Sequence, residues 1–346
     1  MSQPSLLDRI LSGQNRQLQV LAAQGLVPLP PEELIPIQVA LTGSPDPEIS
    51  SASHAALQGL DSGLLLEFLR TQAGDRELYY FATRAQNAAY TEAALRRKDV
   101  SRAILLALAP SLSPDLQEVL ILRQDAILEE PQILLALEQN PQLSNYTRRR
   151  IWEFREHLLP REKLPPVSAE QLAAEAERIS DEEMAEAIAE IKVKNRGKTG
   201  AEPVEGEVEE KTGLTDTEIR QLPVPMRVKL ARNASRQVRL ILIRDSNSMV
   251  AMTVLTGNSL PESEVEQIAN SRAVCEEVLT AIPKNKEWIG KYNIAKALIK
   301  NPKTQLATSL KLLPRMSVKD LRDLAKDKNA QEGVRSMALR MYQAKR

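Results

Sequence analysis

Cysteine and histidine are scarce in this chain of 346 residues. Cys275 is the only cysteine, and His54 and His157 are the only histidines. One cysteine excludes an intrachain disulfide and favours a reducing compartment. Because the two histidines are far apart in the sequence and the cysteine lies elsewhere, no spacing typical of metal ligands is present, and we predict no metal site.

Aromatic residues and glycine are also few. Phe, Trp and Tyr together make up 3% of the chain, which leaves Leu, Ile, Val and Ala to fill the interior of a protein that is 42% hydrophobic. Such an interior suits closely spaced helices better than strands, which favour aromatic and β-branched residues. The 13 glycines are too few for many tight hairpins. The composition therefore predicts an all-α protein.

Sequence motifs of catalysis are missing as well. The chain has no glycine-rich phosphate loop, no Gly-x-Ser-x-Gly nucleophile elbow and no calcium-type loop. Cys275 precedes Glu276 and Glu277, which would raise the pKa of a thiol rather than activate it. His54 lies among alanines, where packing is the simplest interpretation. We predict a protein that is not an enzyme, with no catalytic residue and no cofactor, although a carboxylate pair buried between helices would leave no trace in the sequence.

Segments that direct a protein to a membrane are not found either. The first residues lack both the basic region and the sustained apolar region of a secretory signal. No stretch approaches the roughly 18 consecutive apolar residues of a membrane span. The expected location is therefore the cytoplasm, without a membrane partner.

What the sequence does contain is a recurring pattern of helix starts. The segment Leu29-Pro30-Pro31-Glu32-Glu33 places prolines where a helix needs no amide donor and acids at the positive end of its dipole. Proline and small polar residues interrupt the apolar periodicity again at 44–48, 112–115 and 140–142. Helices of about 10–15 residues separated by such turns are typical of stacked helix pairs. We predict an α-solenoid of short antiparallel helix pairs.

The last third of the chain repeats more regularly. Polar turns that contain asparagine separate its helices, and we expect asparagine to end helices there in the left-handed conformation. Apolar residues stand just ahead of four of these turns, at spacings of 25, 31 and 25 residues along the chain: Ile243, Ile268, Ile299 and Leu324. That spacing matches the length of one helix pair.

Parts of the chain resemble known helical repeats. The segment Ser44-Pro45-Asp46-Pro47-Glu48-Ile49, with the apolar residues that follow it, is similar to the second half of a HEAT repeat, as are Val238-Arg239 and Val334-Arg335. The segment from Ala297 to Thr304 resembles the leucine-rich repeat variant, another bacterial helical array. The resemblance implies stacked helices and partner binding.

Charge is unevenly distributed although the net charge is zero. Lys, Arg, Asp and Glu give a net charge of −5 to residues 1–160, −6 to residues 161–213 and +11 to residues 214–346. Residues 195–213 are rich in Glu, Lys and Gly, and we predict that they are disordered. The predicted parts are an N-terminal helical-repeat array over 1–160, an acidic and partly disordered flexible linker over 161–213, and a basic C-terminal array over 214–346.

The basic array supplies the candidate anion-binding or partner-binding surface. Lys229, Arg232, Arg236 and Arg239 would share one face of a continuous helix, whereas a turn at Asn233 would divide that face. A second group contains Lys296, Lys300 and Lys303, and stacking of equivalent helices could merge the two groups into one strip. Such a strip could bind an acidic protein segment, nucleic acid or the chain's own acidic linker, or it could simply be solvated.

Three hypotheses for function follow. The leading one is a non-enzymatic protein-interaction scaffold, whose protein partners the sequence does not identify. The alternative is a nucleic-acid-binding repeat protein that uses the basic C-terminal array. The third is an enzyme of the HEAT-like DNA glycosylase type, which would need an acidic residue and aromatic residues in a basic groove. Trp288 is the only tryptophan in the basic third.

Overall fold

The computed structural model describes residues 10, 12, 15–84, 87–160, 162–199 and 213–345. All regular structure in these residues is helical, without a strand. Internal contacts divide the chain into two compact units, Met1–Pro165 and Pro166–Arg346, which we call unit 1 and unit 2. The predicted fold class is confirmed, because the helices pack as neighbouring pairs in a solenoid-like arrangement. None of the described helices combines the length and the apolar character that crossing a membrane requires.

Unit 1 is built from short helices whose starts follow from the sequence. Proline stands at the first position of the helices that begin at Pro31, Pro47 and Pro114, where no amide donor is needed. The side chains of Asp61 and Ser144 cap other helix starts. The described helices are α1 (Arg16–Ala23), α2 (Pro31–Leu41), α3 (Pro47–Gln58), α4 (Ser62–Thr71), α5 (Asp75–Arg84), α6 (Ala88–Arg96), α7 (Arg102–Leu108), α8 (Pro114–Ile121), α9 (Gln124–Glu129), α10 (Gln132–Glu138) and α11 (Asn145–Glu153). A 3-10 turn (Ala109–Ser111) extends α7 and a π-helical turn (Phe154–Leu158) extends α11.

Packing in unit 1 follows the order of the chain. Consecutive helices form pairs, such as α2 with α3 and α5 with α6. Helices of successive pairs also stack, in the order α4, α6, α8 and α11. The stack buries a core of mainly Leu, Ile and Ala side chains that extends from Ile35 to Leu164. Each helix therefore contacts near neighbours in sequence, which is the defining property of a repeat array.

Unit 2 continues the same pattern of short helices. Capping boxes form at Ser168 with Gln171 and at Thr215 with Glu218, pairs whose Ser/Thr-x-x-Glu/Gln spacing marks a helix start in the sequence itself. The described helices are α12 (Ala169–Arg178), α13 (Asp181–Thr199), α14 (Asp216–Gln221), α15 (Val224–Ala231), α16 (Arg236–Leu242), α17 (Ser248–Gly257), α18 (Glu262–Asn270), α19 (Glu276–Ala281), α20 (Lys286–Gly290), α21 (Tyr292–Lys300), α22 (Leu306–Leu312), α23 (Val318–Lys326) and α24 (Glu332–Ala344). 3-10 turns at Ile282–Lys284 and Leu313–Arg315 extend α19 and α22.

The flexible linker predicted over residues 161–213 is not confirmed. Helix α12 packs against α15 and buries Leu172 and Ala176. The physical reason lies in α15. Most of its residues are buried, so this helix requires packing partners around it, and α12 and α13 supply them. Residues 195–199 of the segment predicted to be disordered continue α13, and residues 200–212 lie outside the described residues.

The asparagines of the turns act differently from the prediction. Of the described residues other than glycine, only Asn233 has a positive φ, at 53°. Asn247 and Asn285 instead cap the helices that follow them, because their side chains accept amide hydrogen bonds. Asn140 and Asn301 donate their side-chain amides to backbone carbonyl groups of an earlier turn. The predicted left-handed role of asparagine is therefore wrong at Asn247, Asn285 and Asn301, whose side chains make hydrogen bonds instead.

These contacts with earlier turns recur in both units, and we call them stacking hydrogen bonds. In each, a side-chain nitrogen near a turn donates to a backbone carbonyl 24 to 32 residues earlier. The donors include Arg97, Arg123, Asn140, Asn258, Asn301, Lys303, Arg315 and Gln331. Their span agrees with the repeat spacing that the apolar residues predict. Each bond therefore fixes one helix pair to the pair before it.

Candidate functional site

The turn at Asn233 divides the predicted basic face. Helix α15 ends at Ala231 and α16 begins at Arg236, so no continuous helix connects the four basic residues. Lys229 and Arg232 precede the break, whereas Arg236 and Arg239 follow it. The two halves of the face have different partners.

The first half contacts the acidic helices α12 and α13. The Lys229 ammonium lies 2.8 Å from an Asp181 carboxylate oxygen and donates to the carbonyl of Ile179 at 2.6 Å. Arg232 lies 3.2 Å from the Glu177 carboxylate. The hydrogen bond from Lys229 lowers the pKa of Asp181 below its ordinary value. Both acids are exposed, so these ion pairs contribute little stability, but they place negative charge beside each cation.

The second half converges on one buried carboxylate. Arg239 donates from Nε and Nη2 to the two Glu264 oxygens at 3.0 and 2.8 Å, and from Nη1 to the carbonyl of Ala234 at 2.8 Å. The Glu264 side chain is 5% exposed, and Arg236 approaches the same carboxylate to 3.6 Å. A two-point contact between an arginine and a buried carboxylate is a strong and specific ion pair. It joins α16 to α18.

The lysine group splits as well. The Lys296 ammonium lies 2.7 Å from Asp320 on α23, which also accepts hydrogen bonds from Tyr292 and Ser317. Lys296 and then Tyr292 lower the pKa of Asp320 from 3.8 to about 2. Lys303 donates to the carbonyl of Val274 at 3.3 Å. These contacts hold neighbouring helices together.

Lys300 is the exception in the predicted set. It is half-buried at the end of α21 and has no hydrogen-bond or ion-pair partner among the described residues. Five of the seven predicted residues are paired with carboxylates within unit 2: Lys229, Arg232, Arg236, Arg239 and Lys296. Within the described part of the chain, most of the predicted positive surface is therefore accompanied by negative charge.

Sequence analysis missed a buried ion pair in the same unit. Arg227 Nη1 lies 2.8 Å from Asp245 Oδ2, with the two side chains 3% and 1% exposed. The second Asp245 oxygen accepts the backbone amide of Asn247 at 2.8 Å. The pair links the buried helix α15 to the turn before α17. The sequence offered no signal for it, because Arg227 stood among other basic residues and Asp245 in a polar turn.

A cavity of about 670 Å³ in unit 1 was also missed. It lies among α3, α4, α5 and α6, and its lining includes His54 and Tyr80. His54 Nδ1 lies 2.7 Å from the Tyr80 hydroxyl, so His54 has a hydrogen-bond partner in addition to its packing. The signal available in the sequence was the aromatic run Tyr79-Tyr80-Phe81 in a chain poor in aromatic residues.

The thiol of Cys275, the only cysteine, is not activated as a nucleophile. Burial raises the pKa of the Cys275 thiol above its ordinary value, and Glu277 raises it further. The described residues contain no group of three or more His, Cys, Asp or Glu side chains that could hold a metal ion. No family model matches the chain, and no curated protein or solved structure matches it significantly.

Proposed function

We propose that this protein is a non-enzymatic, protein-interaction scaffold built from HEAT-like repeats. The observation that carries the proposal is the internal pairing of most of the seven basic residues in the predicted surface. Five of the seven cations in the predicted surface are directed to carboxylates of neighbouring helices. Their role in the proposal is to hold helices in register, so that the outer surface of the array presents side chains to a protein partner.

The same pairing argues against the nucleic-acid alternative. Affinity for a phosphate backbone comes from cations that displace condensed counterions. Arg239 would have to give up a two-point contact with a buried carboxylate to contact a phosphate. Glu264 would then remain desolvated without its partner, which costs free energy. Acids placed beside Lys229 and Arg232 also repel a polyanion.

The HEAT-like assignment and a cytoplasmic location are part of this proposal. The stacking hydrogen bonds support the first, because they recur at intervals that correspond to one helix pair. Repeat arrays of this kind offer an extended surface relative to their length, and protein binding is its commonest use.

A selection from a peptide-display library on the immobilised full-length chain tests the proposal. We expect a convergent set of peptides to be enriched, and to bind in solution with saturable affinity. In parallel, labelled single-stranded and duplex DNA and RNA should show no binding that falls steeply between about 50 and 200 mM salt.

The variant E177Q/D181N provides the matched comparison, because it removes two exposed carboxylates beside Lys229 and Arg232 without touching the buried core. Absence of any convergent peptide, together with steeply salt-dependent nucleic-acid binding that this variant strengthens, would replace the scaffold proposal with the nucleic-acid hypothesis.

A further inference from the structure

The cavity in unit 1 brings together three of the eleven aromatic residues of the chain, Tyr80, Phe81 and Tyr90. All three ring–ring contacts among the described residues lie at this place: His54 with Tyr80, Tyr80 with Phe81, and Phe81 with Tyr90. Most other buried side chains of the chain are aliphatic, with Phe68 and Phe154 as buried aromatic exceptions in unit 1. Phe81 and Tyr90 belong to the buried core of unit 1 and also border the cavity, and aromatic side chains are common in the lining of ligand pockets.

The floor of the cavity is formed by the edges of apolar and aromatic side chains that are almost completely buried. Leu57, Leu65, Phe81 and Tyr90 line it and are all at least nine-tenths buried. They belong to four successive helices, α3 to α6, whose packing fixes their positions. The volume of about 670 Å³ lies within the roughly 300–1,000 Å³ of small-ligand pockets. The floor therefore suits an apolar group of limited size.

The wall of the cavity carries polar side chains. His54 and Tyr80 are half-buried and share one hydrogen bond. Burial raises the pKa of Tyr80 above 10.0, so its phenol stays neutral and retains its proton. One hydrogen of the pair is used in the mutual bond, and the other is left for a ligand or water, whichever imidazole tautomer is present. The side chain of Asn87 accepts the amide of Ala89, which leaves its own amide hydrogens available.

The cavity lining contains one charged side chain, and it is a cation. Arg84 is its only charged residue, is exposed, and has no ion-pair partner among the described residues. The carboxylate of the neighbouring Asp61 is not part of the lining and caps α4 by accepting the amide of Leu64. Arg70 and Arg76 of unit 1 likewise have no ion-pair partner among the described residues, whereas Arg97 and Arg123 are paired with Asp99 and Asp125.

We propose that this cavity binds a carboxylate attached to a compact apolar group, with the carboxylate on Arg84 and the apolar group on the aromatic floor. Two sources share this chemistry, the C-terminal residue of a peptide and a free small carboxylic acid. The proposal goes beyond the scaffold function, since the cavity can take a small acid even if the chain has no protein partner.

Titration calorimetry of the full-length chain tests the site with two probes, phenylacetate and an acetylated tetrapeptide that ends in phenylalanine. We expect saturable binding of at least one probe, and at least about a tenfold loss when its carboxylate is replaced by an amide. The variant R84Q should weaken binding by a similar factor. R76Q removes an exposed arginine from the same helix but outside the lining, and it should change affinity less than about twofold.

Tighter binding of the tetrapeptide would identify a peptide C-terminus as the ligand, whereas equal or tighter binding of phenylacetate would identify a small acid. Binding of neither probe would overturn the proposal, as would amide analogues that bind as well as the acids, or an R84Q affinity equal to that of R76Q. A failed peptide selection with intact phenylacetate binding would contradict only the scaffold proposal.

Discussion

Replacing Arg227 with methionine is expected to lower the free energy of unfolding of unit 2 by about 3–5 kcal/mol. The substitution keeps an unbranched apolar stem in the buried helix α15 but leaves the Asp245 carboxylate, 1% exposed, without its cation. An uncompensated charge in that position costs far more than the lost contact itself. Urea denaturation followed by the fluorescence of Trp288 reports on this unit, in a W152F background that removes the tryptophan of unit 1.

The control for this prediction is an exposed ion pair in the same unit. Arg322 and Asp323 are each about half exposed, so R322Q should change stability by less than about 1 kcal/mol. The double variant R227M/D245N should recover part of the loss, because a neutral asparagine at 245 can still accept the amide of Asn247. If R227M were no more destabilising than R322Q, Arg227 would not be the counter-ion that buried Asp245 requires.

The second large effect is expected at Asn301. Its side chain is 3% exposed, donates to the carbonyls of Ala269 and Ser271 at 2.7 and 3.0 Å, and accepts the amide of Lys303 at 3.0 Å. Asn301→Leu keeps the heavy-atom branching of the side chain and removes all three hydrogen bonds. Because polar backbone groups then lose their partners in a buried place, we expect a loss of about 2–4 kcal/mol in the same urea assay.

Asn285→Ala is the matched comparison for Asn301→Leu. The Asn285 side chain bonds only to the start of its own helix, so its loss should cost about 1 kcal/mol, as for an ordinary helix cap. If both substitutions lowered the free energy of unfolding by the same amount, the stacking hydrogen bonds would contribute no more than helix caps. The account of how helix pairs are fixed would then have to be abandoned.

Local helix starts are the part of the fold that the sequence predicts well. Pro31, Pro47 and Pro114 stand at first helical positions, and the capping boxes at Ser168 and Thr215 form as expected. These features depend on residues within one turn of each other, so the chain alone determines them. The helix–turn pattern and the all-α class follow from them.

Interactions between repeats are less accessible to sequence analysis. Asn301 and Asn285 occupy similar polar turns, yet one bonds to a turn 30 to 32 residues earlier and the other to its own helix. The linker prediction was not confirmed for the same reason. The apolar stripe of α12 that includes Leu172 is thin, but most residues of α15 are buried, and this helix provides the apolar surface that the stripe covers.

Electrostatic partners are equally hidden. The charge count of unit 2 suggested a basic surface, but Glu264 is placed between Arg236 and Arg239 only by the packing of α18 on the preceding repeat. The cavity in unit 1 has a comparable origin, because Tyr80 and His54 are 26 residues apart and meet only after two helix pairs have stacked. Composition therefore predicts the amount of charge and of aromatic surface, whereas the fold determines what each group faces.

The central claim is that basic residues of the predicted surface in unit 2 pair with carboxylates of neighbouring helices and hold those helices together. A double-mutant cycle between Arg239 and Glu264 tests this claim most directly. Unfolding free energies of R239Q, E264Q and the double variant should give a coupling of about 1–3 kcal/mol, because the two-point contact involves a carboxylate that is 5% exposed. A coupling near zero would contradict the claim, since Arg239 would then be a solvated cation available to an external partner.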